Sequence, residues 1–283
     1  MKVCHFTSVH KPDDIRIFHK ECVSLAQAGH EVYLVATNVQ DKVLDGVQIL
    51  GVNGSYSGRI SRMLNLSMEV YQKALEVDAE IYHFHDPELL RFALKLKRKG
   101  KKVIYDSHED VPRQILAKFW IPKLFRKMIS VSFEKYENYV SKRLSAIVTS
   151  TPHIKDRFVQ INPNTTAVCN YPLLTELMES SELAKKNEEI CYVGGISEVR
   201  GINELMDALS YLPGVRLNLA GSFSNEALEQ KVRTHANWNK VEFHGFVGRN
   251  ELLSILSQNG QVTHFAEKIP SVNDIFIQTV TSK

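Results

Sequence analysis

The sequence predicts an α/β protein made of two doubly wound parallel-sheet units. Three observations carry this. Short apolar runs alternate with amphipathic stretches along most of the 283 residues. Gly29 and Gly100 close amphipathic stretches in the manner of helix-ending glycines. A polar, irregular stretch at 171–186 separates a first series of elements, 1–172, from a second, 187–283.

The elements follow in order. Residues 2–9 read as a strand. A helix over 15–28 presents Phe18, Cys22, Leu25 and Ala26 on one face, and 31–36 is an apolar run suited to a sheet covered on both sides. A strand at 47–52, a helix at 61–75 and a strand at 81–84 come next. A helix then runs to about residue 99, followed by a strand at 102–105. A single long helical stretch is expected from 112 to 144, then a strand at 146–150, a helix from Pro152 and a short strand within 164–170. The second series has a buried strand at 190–193, a helix carrying Ile202, Leu205, Met206 and Leu209 on one face, and a strand at 216–220. A helix at 224–234, a strand at 241–243 and a helix at 249–256 complete it.

Composition narrows the function classes. With 43% hydrophobic and 24% charged residues, the chain is of the soluble globular kind. A formal net charge of +3 is too small for a nucleic-acid binder unless it is clustered. The four cysteines (Cys4, Cys22, Cys169 and Cys191) form no C-x-x-C pair and lie mostly in apolar runs, which reads as reduced core thiols in a cytoplasmic protein. Met1 leads directly into a strand pattern rather than a signal peptide, and no uncharged apolar run is long enough to span a bilayer.

Parallel sheets bind ligands at the carboxyl ends of their strands, and polar residues collect there. Asp13, Asp14 and Arg16 follow the first strand. They fit helix capping by the carboxylates, with an acidic metal-binding pair as the alternative. His85 and Asp86 precede Pro87, which also fits a cap with proline in the first turn. Asp106, Glu109 and Asp110 surround His108. Such crowding would orient the ring and favour its charged form; a turn histidine at the surface is the alternative.

Residues 191–201, Cys-Tyr-Val-Gly-Gly-Ile-Ser-Glu-Val-Arg-Gly, join a strand to a helix through Gly194 and Gly195. Free main-chain N–H groups at such a turn attract anions, and Arg200 adds a cation able to grip a diphosphate. Tight packing alone would explain the glycines equally well. A further segment interleaves Lys118, Lys123, Arg126 and Lys127 with Phe119, Trp120, Leu124 and Phe125. It suits contact with an anionic membrane surface, or else a core helix with a solvated basic face.

These residues together resemble the retaining family 4 glycosyltransferases of the GT-B fold, two Rossmann-like domains facing a cleft. The resemblance is carried by Val-His-Lys-Pro-Asp-Asp-Ile-Arg-Ile-Phe-His-Lys-Glu-Cys at 9–22, Tyr-Asp-Ser-His-Glu at 105–109 and Tyr-Val-Gly-Gly-Ile-Ser at 192–197 with Arg200 and Gly201. Ala-Gly at 220–221 and His-Gly at 244–245 extend it. It implies transfer of a sugar, with retention, from a nucleotide diphosphate sugar to a lipid-linked saccharide in cell-surface polysaccharide assembly, without an obligatory metal or cofactor. Gly194, Gly195, Ser197, Arg200, Gly201, Gly221 and Gly245 would hold the donor. His108 would line the cleft as a hydrogen-bond donor, and Asp13, Asp14, Arg16, His85, Asp86 and Glu109 would face the acceptor. The basic aromatic segment would keep the enzyme at the inner face of the plasma membrane.

The chain also departs from the family pattern. Gly195 stands where relatives often carry a second arginine. The tail from Gly260 holds Glu267 and Asp274 but no glutamate–seven residues–glutamate motif, so the chain reads as C-terminally truncated. That leaves open a non-catalytic accessory subunit that binds nucleotide without turnover. A nicotinamide-dependent enzyme is set aside, because residues 7–16 contain no glycine for a dinucleotide loop.

Overall fold

A computed structural model describes residues 1–54, 58, 61–118, 121–171 and 189–248. The expected helix at 249–256, the tail with Glu267 and Asp274, and residues 172–186 of the polar stretch lie outside the described residues. The chain divides into two units, Met1–Asn170 and Tyr171–Lys283.

The first unit is an eight-stranded sheet. Its strands are β1 (Lys2–Phe6), β2 (Glu31–Thr37), β3 (Lys42–Leu44), β4 (Val47–Val52), β5 (Ile81–Phe84), β6 (Lys102–Ser107), β7 (Ala146–Thr149) and β8 (Thr165–Ala167). They lie in the order β3-β4-β2-β1-β5-β6-β7-β8, all parallel except β3, which runs antiparallel to β4. The covering helices are α1 (Ile15–Cys22 continued by Val23–Gln27), α2 (Arg62–Leu66 continued by Ser67–Glu76), α3 (Pro87–Leu89 leading into Leu90–Arg98), α4 (Val111–Ala117), α5 (Lys123–Ser141) and α6 (Pro152–Val159). Both faces of the sheet are therefore buried, which is why its strands read as apolar runs.

One face carries the main core. Phe6, Tyr82, Phe84, Phe92, Tyr105 and Phe158 are fully buried, Phe84 stacks on Tyr105 at 4.9 Å, and Tyr71 stacks on Phe92 at 4.4 Å. The other face packs Val32, Leu34, Ile49 and Val47 against Ile17, Phe18 and Cys22 of α1. Gly29 and Gly100 take positive φ (82° and 76°) just past α1 and α3, as expected of helix-ending glycines.

Two features differ from expectation. The helix expected over 112–144 is two helices. Pro122 has no N–H to donate and takes an extended ψ of 134°, so the chain breaks there and α5 starts afresh. The unforeseen strand β3 forms a hairpin with β4 across Asp45 and Gly46, both at positive φ (50° and 79°), the signature of a primed two-residue turn.

The second unit contains β9 (Glu189–Val193), α7 (Ile202–Ala208), β10 (Arg216–Ala220), α8 (Glu226–Arg233) and β11 (Val241–Gly245). Its three described strands are parallel with β10 in the middle. Ile202, Met206, Leu209, Leu217, Leu219, Leu228 and Val232 form its core. Among the described residues β9 is an edge, half-buried on Ile190 and Tyr192 and exposed at Cys191 and Val193, so it is not the buried strand expected. Cys4 and Cys22 are the buried thiols foreseen, whereas Cys191 is exposed.

Candidate functional site

Register assembles a polar cluster at the carboxyl ends of β1, β5 and β6. His5 pairs with His83, and His83 with Ile104. Side chains alternate between the faces of a strand, so His5, His83, His85 and Asp106 share the face opposite Phe6, Phe84 and Tyr105. The rings of His5 and His83 are 4.5 Å apart, and those of His83 and His85 are 4.9 Å apart. All four residues are buried.

Asp106 is the hub. Its carboxylate accepts two hydrogen bonds from Arg16, Nε at 2.9 Å and Nη2 at 2.8 Å, a bidentate grip across 90 residues of sequence. His108 Nε2 lies 2.9 Å from Oδ2 and His85 Nδ1 lies 3.3 Å from it. Burial alone would push the Asp106 pKa up. The bonds from His108, His85 and Arg16 outweigh it and hold Asp106 well below the usual carboxylate range. Burial, with neighbouring histidines, pushes His83 and His85 down to about 3 and leaves both rings neutral. Glu21 is raised by burial and by Asp106.

The loop after β1 is fastened to the loop after β5. Asp86 Oδ2 accepts from the Thr7 hydroxyl at 2.7 Å and the Ser8 N–H at 2.6 Å, and His10 Nε2 approaches Asp86 Oδ1 to 3.5 Å. Asp14 caps α1 by accepting from the N–H groups of Arg16 and Ile17, both at 2.9 Å. Those bonds and His10 overcome burial and lower the Asp14 pKa to about 2. The rings of His10 and His108 lie 4.7 Å apart, tilted by 54°, and His108 borders the buried cluster through His85.

Arg16, His85 and Asp86 are buried and bonded to protein groups. Asp14 is a cap. Of the carboxylates expected around His108, Asp106 holds the ring, while Asp110 turns to Arg157 at 3.8 Å and Arg113 at 3.7 Å. Asp13 and Glu109 are exposed, and the His108 side chain is 15% exposed, so these three reach solvent. The sequence reading missed His5, Glu21 and His83.

In the second unit the strand ends bring three glycines together. Gly194 donates to the Ala220 carbonyl at 3.0 Å, and Gly221 donates to the Gly245 carbonyl at 2.7 Å. Gly194 and Gly221 have φ of 141° and 145°, and Gly245 has φ of 68°. A Cβ on Gly221 would lie 1.8 Å from the Gly194 carbonyl oxygen, so the backbones touch. The chain then passes Gly195 and Ser197, turns through Glu198–Arg200, and enters α7 at Gly201 with φ of 77°. Arg200 Nη1 lies 3.1 Å from the position of a Gly194 Cβ, which places the guanidinium over the glycine turn. Among the described residues no carboxylate pairs with it.

The basic segment is displayed on α5. Lys123 and Lys127 are exposed beside Leu124 (84% exposed), Phe125 (47%) and Met128 (58%). Arg126 Nε donates to the Ile121 carbonyl at 2.7 Å, and Lys118 is half-buried. Phe119 and Trp120 lie outside the described residues. No described helix is long and apolar enough to cross a membrane.

The sequence model of Glycosyltransferase Family 4 matches residues 17–170, more than half of the chain. The chain belongs to glycosyltransferase family 4. A second match, to the C-terminal domain of DrrA1-3-like ATP-binding proteins, spans residues 215–280. No curated protein matches the sequence.

Among solved structures, sucrose-phosphate synthase from Thermosynechococcus elongatus is 14% identical with a TM-score of 0.66, covering 91% of this glycosyltransferase and 73% of that chain. WaaG, a glycosyltransferase involved in lipopolysaccharide biosynthesis, is 13% identical with a TM-score of 0.65, covering 89% and 72%. Anabaena HepE in complex with UDP-glucose is 15% identical with a TM-score of 0.57, covering 89% and 71%. These likenesses show the GT-B fold of this glycosyltransferase.

Proposed function

We propose that this glycosyltransferase moves a sugar, with retention, from a nucleoside diphosphate sugar to a lipid-linked saccharide in cell-surface polysaccharide assembly. The observation that carries the reading is the Arg200 guanidinium over the Gly194–Gly221 turn. As the bond from the anomeric carbon to the diphosphate breaks, negative charge grows on the leaving oxygens. A guanidinium placed there stabilises that charge more than it stabilises the ground state. Gly195, with no atom within 4 Å of a Cβ position, leaves the main chain open to the phosphates, while Gly194, Ser197, Gly201, Gly221 and Gly245 shape the turn that carries Arg200. His108, held by Asp106, would bond to the transferred sugar, with Asp13 and Glu109 toward the acceptor. HepE, a structural neighbour, has UDP-glucose bound in its crystal, which supports this donor class.

Arg200→Ala is expected to weaken donor binding about 10–100-fold, the loss of roughly 1.5–3 kcal/mol of charge-assisted bonding. Calorimetry with a panel of UDP- and GDP-sugars, with nucleotide release followed in parallel, checks this. Binding with release in the native chain, both reduced in the variant, supports transfer. Binding without release would favour the accessory-subunit reading, and equal affinity in both chains would remove Arg200 from the site.

Membrane contact at α5 is part of the same reading, because Leu124, Phe125 and Met128 are exposed among lysines. Leu124→Glu with Phe125→Glu is expected to lower sedimentation with phosphatidylglycerol vesicles at least about tenfold, since each apolar side chain contributes roughly 1.5–3 kcal/mol when buried. Equal sedimentation of variant and native chains would place the contact elsewhere.

A further inference from the structure

Beneath the surface pair His10 and His108 lies a set of donors that sugar transfer does not use. His5, Glu21, His83 and His85 each offer one nitrogen or oxygen, and the four atoms lie within 4.8 Å of one another. His5 Nδ1 is 3.1 Å from His85 Nε2 and 3.8 Å from Glu21 Oε2. Metal–ligand bonds of about 2.0–2.1 Å in a tetrahedron set donor separations near 3.3 Å.

Buried polar atoms are normally bonded, so those without partners ask for an explanation. His83 Nε2 and both oxygens of Glu21 are buried without a hydrogen bond, while His5 Nδ1 and His85 Nε2 are bonded only to each other, a contact a metal would replace. Glu21 Oε1 does lie 3.2 Å from Arg16 Nε, but that N–H already donates to Asp106. Unbonded oxygens and imidazole nitrogens of one cluster are the donor set that borderline divalent metals take.

The surroundings fit as well. His85 turns Nδ1 toward Asp106 at 3.3 Å, which leaves Nε2 as its ligand atom; this is the carboxylate–histidine arrangement that orients metal-binding imidazoles. His5 and His83 lie on adjacent strands held in register by the β1–β5 ladder, so two ligands are fixed by the sheet itself. Glu21, whose side chain is 12% exposed, is the least buried of the four. The neighbouring trio His85, Asp106 and His108 is a poorer candidate, because Arg16 already occupies both oxygens of Asp106.

We propose that His5, Glu21, His83 and His85 form a buried site for one divalent transition-metal ion of the zinc type. It would clamp α1 to β1 and β5 beneath the predicted acceptor side. The inference does not depend on the donor reading.

The test uses tag-free chain, stripped with a chelator and titrated with zinc chloride by calorimetry, with metal content measured after desalting. The expected result is about one zinc per chain. His83→Ala should weaken affinity at least about 100-fold, beyond the about 10–100-fold typical of losing an outer-shell partner. His235→Ala, a histidine of the second unit paired with Asp207, should leave it unchanged. Cobalt bound to the native chain provides a reading that needs no variant: a strong visible band means four-coordination. No retained zinc, affinity that follows His108→Ala instead of His83→Ala, or a weak six-coordinate cobalt spectrum would each overturn the proposal.

Discussion

Replacing Asp106 with asparagine is expected to destabilise the first unit by about 3–5 kcal/mol, the usual loss when one member of a buried ion pair is removed. Asparagine keeps the shape and could still accept from one histidine. It cannot neutralise Arg16, which is 5% exposed and directs Nε and Nη2 at the two carboxylate oxygens. Nor can Glu21 replace Asp106, because burial already disfavours its charged form. The damage would spread in a definite order. Arg16 anchors the start of α1 to β6, and its Nη1 also donates to the Val168 carbonyl just beyond β8, so one substitution loosens three parts of the sheet's carboxyl edge. His108 would lose the acceptor that fixes its ring. Thermal unfolding should show a fall of roughly 6–20 °C for a unit of this size. Glu109→Gln, at an exposed position three residues away, should stay within about 0.5 kcal/mol of the native chain. Similar melting temperatures for both variants would mean that the Arg16–Asp106 pair stabilises nothing.

The same pair shows what the sequence could and could not reveal. Alternating apolar runs and amphipathic stretches located nearly every element, because those patterns are local. The Asp45–Gly46 turn was equally legible, since Asp-Gly between short apolar runs is a strong hairpin signal; it went unread because β3 is only three residues long. Pro122 likewise announced the break between α4 and α5. The site was harder to read. Asp86 and Arg16 look like loop residues facing a ligand, and the partners that claim them lie 79 and 90 residues away. His5 and His83 sit inside apolar runs, where a histidine passes for an ordinary core residue. Only the register of β1 on β5 brings them side by side. In the second unit the glycines were visible, but their reason was not: Gly221 is required by the carbonyl of Gly194, which arrives from another strand.

That close approach sets the other large expected effect. Gly221→Ala should cost about 3 kcal/mol or more in the second unit and abolish donor binding in the full chain. Two penalties combine. An alanine at φ of 145° is strained wherever it stands, by about 1–3 kcal/mol. Its Cβ would also lie 1.8 Å from a backbone oxygen, and backbone cannot rotate aside as a side chain can. Relief requires β9 and β10 to part at their carboxyl ends. That strains the Gly194 to Ala220 hydrogen bond and displaces the turn under Arg200. Two further glycines separate these causes. Gly245→Ala meets no atom within 4 Å but has φ of 68°, so it carries the conformational penalty alone, about 1–2 kcal/mol. Gly195→Ala meets no atom either and has no positive φ, so its stability should hardly change. Chemical denaturation of the three variants, with donor titration alongside, reads out the order Gly221, Gly245, Gly195. If Gly195→Ala keeps its fold but loses donor affinity, the space above that glycine is where the diphosphate lies. If Gly221→Ala binds donor like the native chain, the turn does not hold the phosphates and Arg200 alone must account for their recognition.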